Sequence, residues 1–129
     1  MQSLVVGGTG FLGGAIVDAL AARRHAVAIL TRGGTVRNLP QGVEIVLADR
    51  HGDLGALRGR SFDWVFDTCA YAPDAVRSLL EALDGNLGRY VLASSLSTYG
   101  RYDEPGLTEA QDVPDASAED LARAAAVPA

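Results

Sequence analysis

Apolar residues follow two rhythms along this chain. Gln2 to Val6 reads as a short buried strand. From Phe11 to Arg23 the spacing becomes helical, with Phe11, Leu12, Ala15, Ile16, Ala19 and Leu20 recurring on one side. Arg23 and Arg24 then suit the negative end of that helix dipole. Ala26 to Thr31 is unbroken and apolar, a second strand ending in Thr-Arg-Gly-Gly. Val43 to Ala48, entered through Pro40-Gln41-Gly42, is a third strand, and Asp53 to Arg58 a short helical turn. Phe62 to Thr68 is a fourth strand, Pro73 to Leu83 a helix with proline near its start, and Arg89 to Ser94 a fifth strand. From Asp103 onward the pattern gives way to an acidic stretch with alanines and prolines, holding one short helix over Ser117 to Ala125.

Strands that alternate with helices, each strand apolar throughout, predict a parallel sheet covered on both faces. Right-handed crossovers make this a doubly wound α/β fold, most simply with strand order 3-2-1-4-5.

The first strand-to-helix junction carries Gly7-Gly8-Thr9-Gly10-Phe11-Leu12-Gly13. Gly8, Gly10 and Gly13 spell G-x-G-x-x-G in strand–turn–helix context, the dinucleotide-binding fingerprint. One glycine permits the tight turn, one lets backbone approach a pyrophosphate, and one lets helix pack on strand. Free N–H groups at the helix start then face the phosphates.

Ligands of such sheets sit at the carboxyl ends of the strands, near the switch in strand order. That places the glycine loop, Thr31-Arg32, Asp49-Arg50, Ala70-Tyr71 and Ser94-Ser95 along one edge. An acid at the end of the second strand would bind the adenosine ribose, and an arginine would accept a 2′-phosphate. Thr31 and Arg32 therefore favour NADP(H), with NAD(H) possible; the alternative is an arginine merely solvated at a strand end. Arg37 could add to that pocket or face water. Asp49 either meets the adenine amino group or caps the following turn. Ala70 and Tyr71 let backbone pass close to the cofactor. Cys69 reads as a packing residue, and His25 and His51 as structural and solvated. The hydroxyls after the fifth strand, Ser94 to Thr98, present donors for a substrate carbonyl or hydroxyl.

Composition narrows the classes. The 129 residues carry a net charge of −5, which argues against nucleic acid as a partner. No apolar run is long enough to cross a membrane, and no basic–apolar leader is evident, so a cytoplasmic location is expected. One cysteine and 2 histidines exclude a disulfide framework and a zinc site. All 11 basic residues are arginine, and there is no lysine.

Together these motifs resemble the NAD-dependent epimerase/dehydratase group of extended and atypical short-chain dehydrogenases/reductases, over residues 1–104 and matching its N-terminal part. The loop through Gly7, Gly10 and Gly13, the strand ends Leu30-Thr31-Arg32-Gly33 and Ala48-Asp49-Arg50, the fourth strand with Ala70-Tyr71, and Ala93 to Gly100 carry the likeness. The resemblance implies a dinucleotide-binding body over 1–104 with a tail over 105–129. It implies a nucleotide sugar or similar carbonyl/hydroxyl compound as substrate, and Ser95 as the active-site hydroxyl. It also implies a Tyr-x-x-x-Lys pair about two dozen residues after that serine, in which lysine lowers the tyrosine pKa. Here the corresponding region is Ser117 to Arg123, and the last tyrosine is Tyr102. The expectation is a chain that holds cofactor but stops short of the catalytic pair. The alternative is a non-catalytic dinucleotide-binding regulator. Without a substrate domain, the fifth-strand edge would be open, and a homodimer is expected.

Overall fold

Gln2–Val6 forms β1, whose side chains beyond Gln2 are buried. A strand buried on both faces must sit mid-sheet with cover above and below. A computed structural model, which describes residues 1–34, 38–99, 106 and 108–126, places it there. Its parallel neighbours are β2 (Ala26–Thr31) and β4 (Phe62–Asp67). β3 (Glu44–Leu47) lies outside β2 and β5 (Leu87–Leu92) outside β4, giving the predicted order 3-2-1-4-5. Val6 is in register with Leu30 on one side and Asp67 on the other. The central strands therefore end level, and the loops that follow them converge. Arg37, Gly100, Tyr102 and the 104/105 boundary fall outside the described residues.

Each face has its own cover. α1 (Phe11–Ala22) packs Val17 and Leu20 against Val5, Val27 and Ile29. α2 (Pro73–Leu83) sets Leu79 and Leu83 on the opposite face with Leu4, Val6, Leu30 and Val65, joined by Leu57 from a 3-10 turn at Gly55–Leu57. α1 ends where Arg24 turns left-handed at φ 59°, and the Arg23 guanidinium donates back to the Ala19 carbonyl at 3.1 Å.

Cover is uneven, contrary to the expectation of a sheet closed on both faces. Leu47 on β3 is 64% exposed and Leu92 on β5 45% exposed. Helices about 10 Å across shield only about two strands apiece, and both lie over the centre. β5 also begins and ends two residues earlier than predicted. Pairing with the full length of β4 sets its start, through Phe62 opposite Leu87 and the Phe62 N–H bonded to the Asn86 carbonyl at 3.0 Å. The last ladder bond runs from the Ala93 N–H to the Asp67 carbonyl, so Ser94 falls after the strand.

The chain forms two compact units, Met1–Ala93 and Ser94–Pro128. The first holds the sheet, α1 and α2. The second holds a 3-10 turn at Leu96–Tyr99 and α3 (Ala118–Ala126). Ser117 caps α3 by accepting the Asp120 N–H at 3.1 Å, while the Asp120 carboxylate accepts the Ser117 N–H at 3.2 Å. This reciprocal capping box begins the helix one residue later than the predicted boundary.

Candidate functional site

Val6 ends β1, and Gly7 turns the chain with φ 81°, a left-handed conformation that only glycine adopts at no steric cost. A Cβ there would also lie 2.5 Å from the Thr68 hydroxyl. The Gly10 N–H closes the turn on the Gly7 carbonyl at 3.0 Å, and α1 starts at Phe11. Gly13 brings the helix onto the turn: a Cβ at 13 would fall 2.2 Å from the Gly7 carbonyl oxygen. The tight-turn role therefore belongs to Gly7. Gly8, to which the G-x-G-x-x-G spacing would give it, faces the core against Ile29.

The first N–H groups of any helix lack intrahelical acceptors. Gly10, at the N-cap of α1, offers no side chain to satisfy them. That end of α1 is an uncapped, electropositive cradle. Phe11 is 99% exposed and Leu12 50%, so their contribution there is backbone.

Beside the cradle lies a cleft of about 310 Å³ lined by Val6, Gly7, Thr9, Leu30, Thr31, Arg32, Gly34, Ala48, Arg50, Cys69 and Tyr71. Among the described residues, no carboxylate lines it. Arg32 is exposed at the end of β2 and forms no ion pair among the described residues. The Thr31 hydroxyl accepts the Gly33 N–H at 3.3 Å. Tyr71 stands 64% exposed at the rim.

Arg50 is different. It is 5% exposed, and its guanidinium donates to both Asp67 oxygens at 2.9 and 2.7 Å. It also donates to the Ala75 carbonyl at 3.0 Å and the Cys69 sulfur at 3.4 Å. Asp67, wholly buried, additionally accepts the Tyr90 hydroxyl at 2.5 Å and the Cys69 N–H at 3.1 Å. Burial alone would push the Asp67 carboxyl up. The Arg50 guanidinium and the Tyr90 hydroxyl outweigh it and hold the group below the ordinary carboxylate value. The same burial, reinforced by Asp67, pushes the Tyr90 phenol well up. Burial likewise raises the Cys69 thiol, with Arg50 only partly compensating. Cys69 is thus a poor nucleophile.

Of the residues singled out from sequence, Gly7, Thr9, Thr31, Arg32, Arg50 and Tyr71 line one cleft, with Gly10, Phe11, Leu12 and Gly13 forming the helix start next to it. Asp49 does not line the cleft; its carboxylate accepts the His51 N–H at 3.0 Å, as a loop cap would. Ala70 lies between two lining residues without lining the cleft itself. Ser94 and Ser95 belong to the second unit, where Ser95 meets the Ser97 hydroxyl at 2.7 Å and Ser94 the Thr98 hydroxyl at 3.2 Å. Sequence reasoning missed the apolar floor of Val6, Leu30 and Ala48, and the Arg50–Asp67–Tyr90 network. A signal for the network existed: Asp67 alternates in phase with buried Val65 in an apolar strand, and an inward acid requires a cation. Among the described residues no cluster of side chains suits a metal ion, and no helix is long and apolar enough to cross a membrane.

Residues 3–79 match the family model described as NAD dependent epimerase/dehydratase family. A 2'-dehydrokanamycin reductase of Streptomyces kanamyceticus is 34% identical over 121 residues, covering 91% of this chain and 34% of the reductase. A UDP-galactose 4-epimerase superposes with a TM-score of 0.77 at 23% identity, over 96% of this chain and 48% of that one. A short-chain dehydrogenase/reductase superfamily protein from Agrobacterium tumefaciens, with bound NAD, gives 0.71 at 24% identity, over 96% of this chain and 42% of that one. The two solved structures speak for the fold. The chain spans about a third of the reductase's length and under half of each solved chain. With more than half of its residues matched by the family model, and the glycine turn, uncapped helix and strand-end cleft all within one sheet, the chain belongs to the NAD dependent epimerase/dehydratase family.

Proposed function

We propose that the cleft holds a dinucleotide, NADP(H) in preference to NAD(H), and that these residues form the cofactor-holding part of an epimerase, dehydratase or reductase. The uncapped start of α1 would take the pyrophosphate, because Gly13 lets the helix reach the turn and no side chain competes for its N–H groups. Thr31 and Tyr71 would flank the adenosine half. The observation that carries the NADP(H) preference is Arg32: an exposed guanidinium that, among the described residues, has no ion-pair partner and shares its cleft with no carboxylate. Such a group suits a 2′-phosphate, whereas a ribose hydroxyl pair calls for an acid. When bound, the nicotinamide ring would supply hydride exchange. Ser95 would hydrogen-bond the reacting oxygen of a nucleotide sugar or a related carbonyl or hydroxyl compound. The names of the epimerase and reductase relatives favour that substrate class.

Calorimetric titration tests this reading. NADPH should bind the wild-type chain at least about tenfold more tightly than NADH, a difference worth about 1.4 kcal/mol. Arg32→Asp should reverse the order. Equal affinities, or no saturable binding of either dinucleotide, would overturn it. A second reading, a dinucleotide-binding regulator without chemistry, is favoured by one observation: the 129 residues contain no lysine, hence no Tyr-x-x-x-Lys pair. Both readings expect binding without turnover from these residues alone. Enzyme-like turnover would call for another base, Tyr99 or Tyr102 first.

A further inference from the structure

Arg50 reaches across the sheet. It follows β3, and β2 and β1 lie between that strand and β4. Yet its guanidinium is seated on Asp67, the last residue of β4. Neighbouring strands are about 4.8 Å apart, so the chain after β3 and the Arg50 side chain together cover the span past β2 and β1, whose residues Leu30 and Val6 line the same cleft. Both terminal nitrogens are engaged by protein: one by Asp67 and the Cys69 sulfur, the other by Asp67 and the Ala75 carbonyl in the first turn of α2. The remaining nitrogen, Nε, is buried without a partner.

The carboxylate at the other end gathers the opposite bank. Asp67 accepts the Cys69 N–H and the Tyr90 hydroxyl of β5. The loop it holds borders the glycine turn. Thr68 donates both its N–H and its hydroxyl to the Val6 carbonyl, at 3.1 and 2.9 Å, and the Thr68 hydroxyl and Cys69 sulfur crowd Gly7. Cys69 and Tyr71 then form one wall of the cleft, while Ala48 and Arg50 come from the other side.

We infer that Arg50 is a positioning residue for the dinucleotide site: it clasps Asp67 across two strands and so sets the separation of the two walls, without offering its terminal nitrogens to the ligand. This rests on the reading that the cleft takes a dinucleotide. A guanidinium can grip both oxygens of a carboxylate and a carbonyl at once in one fixed plane, and an ammonium lacks that fork. Arg50→Lys keeps the charge and most of the stem while losing the clasp.

Two readouts test it on the whole chain. The first is NADPH affinity. The second is the alkylation rate of Cys69 by iodoacetamide, which reports from one place because the chain has a single cysteine. Leu83→Ala, at the far end of α2 and in the core, serves as a stability-matched control. At a temperature where all three proteins are folded, Arg50→Lys should weaken NADPH binding about tenfold and label Cys69 about tenfold faster. Leu83→Ala should alter neither. Tyr90→Phe, which removes one donor to Asp67 and keeps the ring, should shift both in the same direction by less, and it stands in if Arg50→Lys fails to fold. Wild-type affinity and labelling in the folded Arg50 variant, or in Tyr90→Phe where it stands in, would overturn the inference, as would equal shifts in Leu83→Ala. If the wild-type chain binds no dinucleotide, the functional reading falls, and labelling alone decides the clasp: an unchanged rate in Arg50→Lys overturns it.

Discussion

Gly13 offers the sharpest test of how the loop works. It sits in the first turn of α1, and a Cβ added there would lie 2.2 Å from the Gly7 carbonyl oxygen, 2.7 Å from the Gly7 carbonyl carbon and 3.0 Å from the Gly8 Cα. All three neighbours are backbone, so no rotamer change relieves the overlap. Non-bonded atoms settle at about 3.5–4.0 Å between carbons, so helix and turn would part by roughly 1 Å. Overpacking of this kind costs about 1–3 kcal/mol. Alanine recovers about 0.5–1 kcal/mol of that through its better helix propensity. The expected net effect of Gly13→Ala is a loss of about 1 kcal/mol in unfolding free energy.

The single tryptophan, Trp64 on β4, provides the signal for guanidinium unfolding. The same shift carries the first N–H groups of α1 away from their seat beside Gly7. NADPH affinity should therefore fall about 10–100-fold, the scale expected for a 1 Å misplacement of aligned groups. A Gly13→Ala protein as stable as wild type would refute the contact reasoning. One that loses stability yet binds NADPH unchanged would refute the placement of phosphate at this helix end.

Two further outcomes follow from the charged pairs. Asp67 is held below its ordinary carboxylate value when folded, so its stabilising contribution is complete above the unfolded value, 3.8, and is lost as pH falls through the lower folded value. The stability gap between wild type and Asp67→Asn should thus be constant near neutrality and close as denaturation is followed from pH 5 towards acid; a gap independent of pH would refute the sign. On the surface, Arg60 donates twice to Glu44, at 2.9 and 2.5 Å, but Glu44 is 53% exposed. A double-mutant cycle to alanine should give a coupling below about 1 kcal/mol that shrinks with added salt, and a larger, salt-independent coupling would contradict that.

The central elements could be read from the chain because each was specified by one strong local signal. β1 closes on the apolar run Leu4-Val5-Val6, β2 is apolar up to Thr31, and α2 begins at a proline. The edges could not. β5 slid by two residues because its ends are set by pairing with β4, and a glycine at 88, close against the Asp63 carbonyl, is tolerated inside the strand. The glycine motif was visible, but two overlapping spacings, through Gly8 and through Gly7, competed. Only the left-handed turn at Gly7 and the contact from Gly13 decide between them. The floor of the cleft was invisible for a different reason. Val6, Leu30 and Ala48 carry no chemistry, and their place at the floor comes from the level ending of the strands.

Arg32 and Arg50 show why residue type underdetermines role. Both follow parallel strands, and both line the same cleft. On sequence alone each is a candidate to receive a phosphate. Their neighbours separate them: Arg50 is 5% exposed with a buried carboxylate as its counter-ion, while Arg32 faces solvent without one among the described residues. A guanidinium already neutralised by a bidentate carboxylate contributes little net charge to an incoming anion. Among the described residues the cleft therefore presents one effective positive charge, not two. This gives the two variants different signatures. On the proposed reading, Arg32→Asp removes the group that would distinguish a 2′-phosphate from a hydroxyl, so it should change the ratio of NADPH to NADH affinity. Arg50→Lys loosens the walls around features that the two dinucleotides share, so it should lower both affinities by the same factor and leave their ratio intact. If Arg50→Lys altered that ratio, its guanidinium would be reading the phosphate directly, and the division of labour between the two arginines would be wrong.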